Sequence, residues 1–186
     1  WIGRADGFNK RPMLFLELAR DCPDLQFVMI ASRTDDAVFR ALEAACPANL
    51  RLVEHLPAHE VWDWLRRARV LVNTSRFEGF PNTFLQSAVS GVPIVSLEVD
   101  PDGMLARHGC GVCAGGEMRA MREAVLKLCA DDAGAEALAA ACHCHVLAHH
   151  GADGRVAELD ACLAGLAGQE CSAPRRPWWA AWRRFV

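Results

Sequence analysis

The chain has no run of apolar residues long enough to cross a bilayer, and no charged-then-apolar leader is seen at its start, which proves little because the sequence opens inside a strand. It also lacks the basic excess of a nucleic-acid-binding surface, since the formal charge is −3 over 186 residues. No internal repeat is found. Its nine cysteines are an odd number, scattered through predicted helices and strands. That pattern argues against a disulfide framework and for reduced thiols in a cytosolic protein. The chain opens without Met inside what reads as a strand, Trp1-Ile2-Gly3, and is therefore expected to be a piece of a longer protein.

What is present fits one α/β domain. An apolar content of 52% over this length is ample to fill a single core. Apolar stretches rich in β-branched residues, read as strands, fall at 1–3, 26–31, 50–53, 70–74, 92–97 and 111–114. Between them lie helical patterns at 12–20, where Leu14, Phe15 and Leu18 recur at helical spacing, and at 35–45 and 58–67. From 117 to about 168 the chain is almost wholly helical, with breaks near 131–134 and 151–154. Strand and helix in alternation imply a Rossmann-like parallel sheet of about six strands with helices on both faces and a helical C-terminal part. The domain is expected over 1–168, with a separate tail over 169–186. That tail carries four Arg and one Glu, a balance of +3, and leaves −6 on the rest.

A zinc site built from Cys110-x-x-Cys113 and Cys142-His143-Cys144-His145 has the soft ligands and short spacing that tetrahedral zinc accepts. Against it, Cys110 to Cys113 reads as a buried strand where Cys packs as a small hydrophobe. Four consecutive residues of a helix also point in different directions and cannot all face one ion. No metal is expected.

The most informative stretch is Phe77-Glu78-Gly79-Phe80-Pro81-Asn82-Thr83-Phe84-Leu85-Gln86. It follows the predicted strand Val70-Leu71-Val72-Asn73-Thr74 and opens a helix that runs out at Gly91-Val92-Pro93. A strand, a short Gly turn and Pro at a helix start aim free backbone N–H groups outward, where phosphate is favoured. Glu78 at the turn and Gln86 about two turns into the helix can bracket a ligand lying across the helix start.

Glu78 through Pro93 resembles the E-x7-E segment of the retaining glycosyltransferases of family four (group 1), which have the GT-B fold. With Gly3-Arg4 and Lys10 ahead of it, the similarity runs to about Leu166. The resemblance implies that this chain is the C-terminal, Rossmann-like, donor-binding domain, and that the acceptor is held by an N-terminal domain absent from it. It implies sugar transfer from a nucleotide diphosphate sugar to a sugar or lipid-linked acceptor in polysaccharide or glycolipid synthesis, with this piece alone inactive. UDP ranks ahead of GDP by family frequency.

Site roles follow by matching positions. Arg4 and Lys10 match the Arg and Lys that hold the donor diphosphate, and two cations suit a diphosphate without a metal or other cofactor. Gly3 precedes them in the same segment. Glu78 matches the acidic residue that contacts donor-sugar hydroxyls. Arg4, Lys10 and Glu78 are the candidate catalytic set, acting by leaving-group stabilisation, because no nucleophile is placed for a double displacement. Gly79 lets backbone approach the ligand, Pro81 cannot donate, and the amides of Gly79, Phe80, Asn82 and Thr83 are the useful ones. His55, in the loop after the third strand, lies where the base is held, and a role as general base is not favoured. Gln86 departs from the family, which has an acidic residue gripping the ribose diol there. An amide still bridges the diol through one acceptor and one donor, at a cost of about 1 to 2 kcal/mol.

Two other readings stand beside this one: a non-catalytic nucleotide-sugar-binding module, for which Gln86 speaks, and a sugar-nucleotide epimerase of the same fold. The purely structural alternative for the motif is that Glu78 caps a helix while Gln86 faces solvent. The tail, from Pro174-Arg175-Arg176-Pro177-Trp178-Trp179 to Phe185-Val186, suits a membrane interface. By resemblance it also suits a return onto the N-terminal domain. Cytoplasmic location, peripheral on the inner membrane face, is the matching expectation.

Overall fold

A computed structural model describes residues 1–167 of the chain. The tail and its expected membrane contact lie outside the described residues. The chain divides into two compact units, Trp1–Ala148 and His149–Val186.

The first unit alternates strand and helix as the sequence pattern requires. Its strands are β1 Ile2–Arg4, β2 Phe27–Ser32, β3 Leu50–Glu54, β4 Leu71–Asn73, β5 Ile94–Ser96 and β6 Gly111–Cys113. The helices between and after them are α1 Pro12–Asp21, α2 Asp36–Ala45, α3 Ala58–Arg67, α4 Asn82–Val89, α5 Met118–Ala130 and α6 Asp132–His150. Each boundary has a local cause. Pro12 starts α1, where a missing N–H costs nothing. Asp35 caps α2 by accepting from the amides of Ala37 and Val38. The α4 helix stops two residues before Gly91, whose φ of 69° suits glycine.

All strand pairs are parallel, but the six strands form two three-stranded sheets, β1-β2-β3 and β4-β5-β6, rather than one. No ladder joins β1 to β4 among the described residues. Trp1 stands at that seam. Its carbonyl and terminal ammonium both bond to β2, at Ile30 N–H and the Val28 carbonyl, while its indole crosses the seam to Thr74. Below that crossing the sheets stand apart around a cavity of 510 Å³, lined by Trp1, Phe27, Val28, Val70, Leu71 and Val72 among others. The cavity faces the amino ends of the strands.

Period-two alternation sorts the strand residues into two cores. Val72 and Val95 pack with Phe15 and Leu18 of α1, Phe39 and Leu42 of α2 and Met121 and Val125 of α5. Their neighbours Leu71 and Ile94 pack on the other face with Leu65 of α3, Phe84 and Ala88 of α4 and Cys142 and Val146 of α6. Helices therefore cover both faces.

Of the second unit, the described part is the end of α6 and α7 Ala152–Ala167. Val156, Leu159, Leu163 and Leu166 of α7 are exposed. No described helix is long and apolar enough to cross a membrane.

Candidate functional site

The α1, α2 and α5 helices lie on one face of the strands, and α3, α4 and α6 on the other. The winding reverses at the seam between β1 and β4. An open α/β sheet binds its ligands at such a reversal, beyond the carboxyl ends of the strands. Here those ends carry the loop 5–11 and the loop 74–81, and the two are bonded to each other along their length.

Thr74 is the centre of that contact. Its hydroxyl accepts from the Trp1 indole at 2.9 Å and donates to the Lys10 carbonyl at 2.7 Å. Its carbonyl accepts from Arg11 Nε at 2.8 Å. Further out, Arg76 N–H donates to the Asn9 carbonyl and Phe77 N–H to Asn9 Oδ1. Asp6 Oδ1 holds the first loop in shape by accepting from the amides of Phe8 and Asn9. Arg11 also donates to Glu98, beyond β5, at 2.6 Å. It adopts a left-handed backbone with φ of 46°, which costs a non-glycine residue about 1 kcal/mol. The two side-chain bonds offset that strain.

Within this frame the Lys10 ammonium bonds directly to Glu78 Oε1, and both side chains are mostly buried, 18% and 16% exposed. Ser75 Oγ donates to the same oxygen at 2.7 Å, so Glu78 is oriented from two sides. Glu78 is thus a member of the loop contact rather than a cap on α4, whose N-cap residue is Pro81. The first-turn amides of α4 belong to Asn82 and Thr83, which have no intrahelical acceptor, while Phe84 N–H turns back to the Pro81 carbonyl. Nothing lies within 4 Å of where a Gly79 Cβ would stand, and Gly79 has no positive φ. Neither packing nor backbone conformation demands glycine there, and the space above it is open to a ligand. Gln86 is half-buried and one turn into α4, closer to its start than the two turns expected.

Three expected site residues stand apart. Gly3 has a packing cause, because a Cβ there would meet the Trp1 ring at 2.8 Å. Arg4 turns to Asp6 at 4.0 Å and is 61% exposed, instead of joining Lys10. His55 follows β3, two strands from the seam at about 4.8 Å per strand, and its side chain is exposed. Its φ of 22° is held with its N–H on the Ala31 carbonyl. Sequence reading missed Thr74, Ser75, Asn9, Arg11 and Glu98. A polar Thr-Ser pair ending a buried strand and a second cation beside Lys10 were the available signals.

The cysteines and histidines considered for zinc fall into ordinary packing. Cys110 and Cys142 are buried against each other, and burial pushes the Cys142 thiol up to about 12. His108 and His145 stack at 4.5 Å. Among the described residues no group of three or more His, Cys, Asp or Glu is placed to hold a metal ion.

A family model described as "Glycosyl transferases group 1" matches residues 1–131, well over half the chain. The chain belongs to the group 1 glycosyl transferases. No curated protein matches it at significance. Among solved structures, the fold is similar to that of a point mutant of S. aureus TarM in complex with fondaparinux, alpha-GlcNAc-glycerol and UDP. That match has 16% identity and a TM-score of 0.71 over 85% of this chain and 34% of TarM. Anabaena Alr3699/HepE in complex with UDP has 12% identity and a TM-score of 0.76, over 88% of this chain and 48% of that one. The C-terminal domain of a group 1 family protein, LpcC from Francisella tularensis, has 17% identity and a TM-score of 0.67, over 80% and 84%. At these identities the structures speak for the fold. The chain spans about a third of the length of TarM and under half that of HepE.

Thr74→Val should strand the buried Trp1 indole N–H and loosen the Lys10 carbonyl. A loss of about 1 to 3 kcal/mol in urea unfolding is expected, with Thr74→Ser close to the parent.

Proposed function

We propose that the crevice at the β1–β4 reversal binds a nucleotide diphosphate sugar and that the chain is the donor half of a retaining glycosyltransferase. The observation that carries this reading is the Lys10–Glu78 contact, set at the switch point and beside the exposed start of α4. A cation, a carboxylate and unpaired helix amides within one loop pair are what a diphosphate joined to a polyol asks for. Family membership supports it.

On donor binding the Lys10 ammonium exchanges Glu78 for phosphate, and Glu78 exchanges Lys10 for hydroxyls of the sugar. Arg4, exposed and pivoting on its long flexible stem, swings from Asp6 to add a second cation. Asn82 and Thr83 amides, with that of Gly79, meet the remaining phosphate oxygens, and Gln86 bridges the ribose diol. Charge developing on the departing diphosphate is then met by fixed groups, while Glu78 holds the sugar in place. The departing phosphate takes the acceptor proton, which keeps the new bond on the face the old one left. No cofactor enters this scheme. The sugar or lipid-linked acceptor is held chiefly by a further domain, in polysaccharide or glycolipid synthesis. His55 borders the base only if the base reaches across β2.

Calorimetric titration of the chain with UDP, GDP and their sugar conjugates tests the reading, with and without a divalent-metal chelator. One nucleotide should saturate regardless of chelator, and Arg4→Ala with Lys10→Ala should lose at least about tenfold in affinity. Gln86→Glu should tighten it by about fivefold or more. Binding that survives the double substitution unchanged would refute the site.

A further inference from the structure

A second concavity opens beside the donor crevice, beyond the carboxyl ends of β1 and β2. It holds 440 Å³ and is lined by Arg4, Asp6, Phe8, Thr34, Asp35 and Val38, with Ala5 and Gly7 at its floor. That size is within the range of small-ligand sites, and its lining is mixed rather than apolar. Phe8 forms one wall although its ring is 68% exposed. Its ring has two neighbours. Phe77 meets it edge to face at 6.2 Å and 72°, and the Arg76 guanidinium sits 5.2 Å from its centroid. The backbone beneath is tied down as well, Phe8 N–H to Asp6 and Phe77 N–H to Asn9.

Across from this ring stand polar groups with unspent capacity. Asp35 commits Oδ1 to the amides of Ala37 and Val38, and Asp6 commits Oδ1 to those of Phe8 and Asn9. In each case the backbone hydrogen bonds fall on one oxygen. The second can accept from a ligand, since Asp6 Oδ2 meets only the exposed Arg4 guanidinium, at 4.0 Å. An exposed aromatic face in one cleft with two carboxylates matches one ligand chemistry well. A pyranose ring presents axial C–H bonds on one face and a fringe of hydroxyl donors around its edge. The aromatic quadrupole attracts the former and the carboxylates the latter.

We infer that this cleft is a pyranose subsite and that it takes the sugar of the acceptor rather than of the donor. The assignment to the acceptor rests on the donor-site reading above. Glu78 and Lys10 occupy the β4 side of loop 5–11, whereas Phe8 and Asp35 occupy its β2 side, so a sugar here lies next to the donor without overlapping it. Arg4 lines the cleft until it swings to the donor diphosphate. This half of the protein thereby contributes to acceptor choice as well as donor binding.

Saturation-transfer NMR on the whole chain, with methyl pyranosides of the gluco, galacto, manno and N-acetylgluco series, tests the proposal, with and without saturating nucleotide sugar. Transfer should concentrate on the C–H protons of one sugar face and persist when nucleotide sugar is bound. Phe8→Ala and Asp35→Ser should each weaken glycoside binding by about fivefold or more. Both should leave nucleotide affinity at the parent value. Serine at 35 keeps the helix cap, and Phe8 is exposed, so neither change threatens the fold.

Absence of transfer from every glycoside overturns the proposal, as does binding unaffected by both variants. Displacement of the glycoside by nucleotide sugar, but not by the bare nucleotide, overturns the acceptor assignment. Variants that change only self-association in sedimentation would show the aromatic pair to be a protein contact and likewise overturn it. Glycoside binding that responds to both variants, in a chain that binds no nucleotide, upholds the cleft and refutes the donor site.

Discussion

One threonine hydroxyl joins the two halves of the sheet. Thr74 sits where β4 ends, and its single hydroxyl serves an indole from the start of β1 and a carbonyl from the loop that follows β1. No ladder of backbone bonds crosses the seam among the described residues, so side chains take the part that strand pairing plays elsewhere in the two sheets. Arg11 repeats the arrangement at the Thr74 carbonyl and extends it to Glu98 beyond β5. Of the candidate donor site, Gly3, Arg4, Lys10 and Glu78 lie within a few positions of these bonds. Placement of Lys10 against Glu78 follows from them, because the two side chains come from segments 68 residues apart.

Much of the architecture is legible in the sequence. Each strand and helix of the first unit lies where alternation, Pro12, the Asp35 cap and the Gly91 stop predict, with ends moved by a residue or two. Such signals are local, and local chemistry decides them. Division into two sheets is not legible, because no local pattern records which distant strands pair. Gly3 misleads for another reason. A glycine next to a candidate phosphate-binding cation suggests close approach by a ligand, yet the neighbour that forbids a Cβ is a ring two residues earlier.

The site is legible in part. Glu78, Gly79 and Lys10 come together as an oriented carboxylate, an open backbone and a cation at the switch point. Arg4 and His55 show the limit of positional matching. Sequence distance places them in the right loops, but the direction of a long exposed side chain depends on its partners, and here Asp6 is the nearer anion. Thr74, Ser75 and Asn9 are hard to single out in the sequence, beyond the polar Thr-Ser pair that ends a buried strand, because their role is to hold other residues. A supporting hydroxyl has no spacing rule. The cysteines are legible in part: Cys110 is buried as its apolar surroundings predict, while the burial of Cys142 in α6 becomes clear only once the helix is packed.

The seam is bonded at its mouth and hollow at its foot. A void of 510 Å³ opens on the amino side of the strands, while the carboxyl side carries the network around Thr74. In volumetric terms the larger of the two described concavities lies on the side away from ligand. Only space closed to water is eliminated on unfolding, so the enclosed part of this cavity is where hydrostatic pressure acts on the seam. The arrangement isolates the ligand-facing loops from the softest part of the core, and separates how tightly the molecule packs from how accurately it holds a substrate.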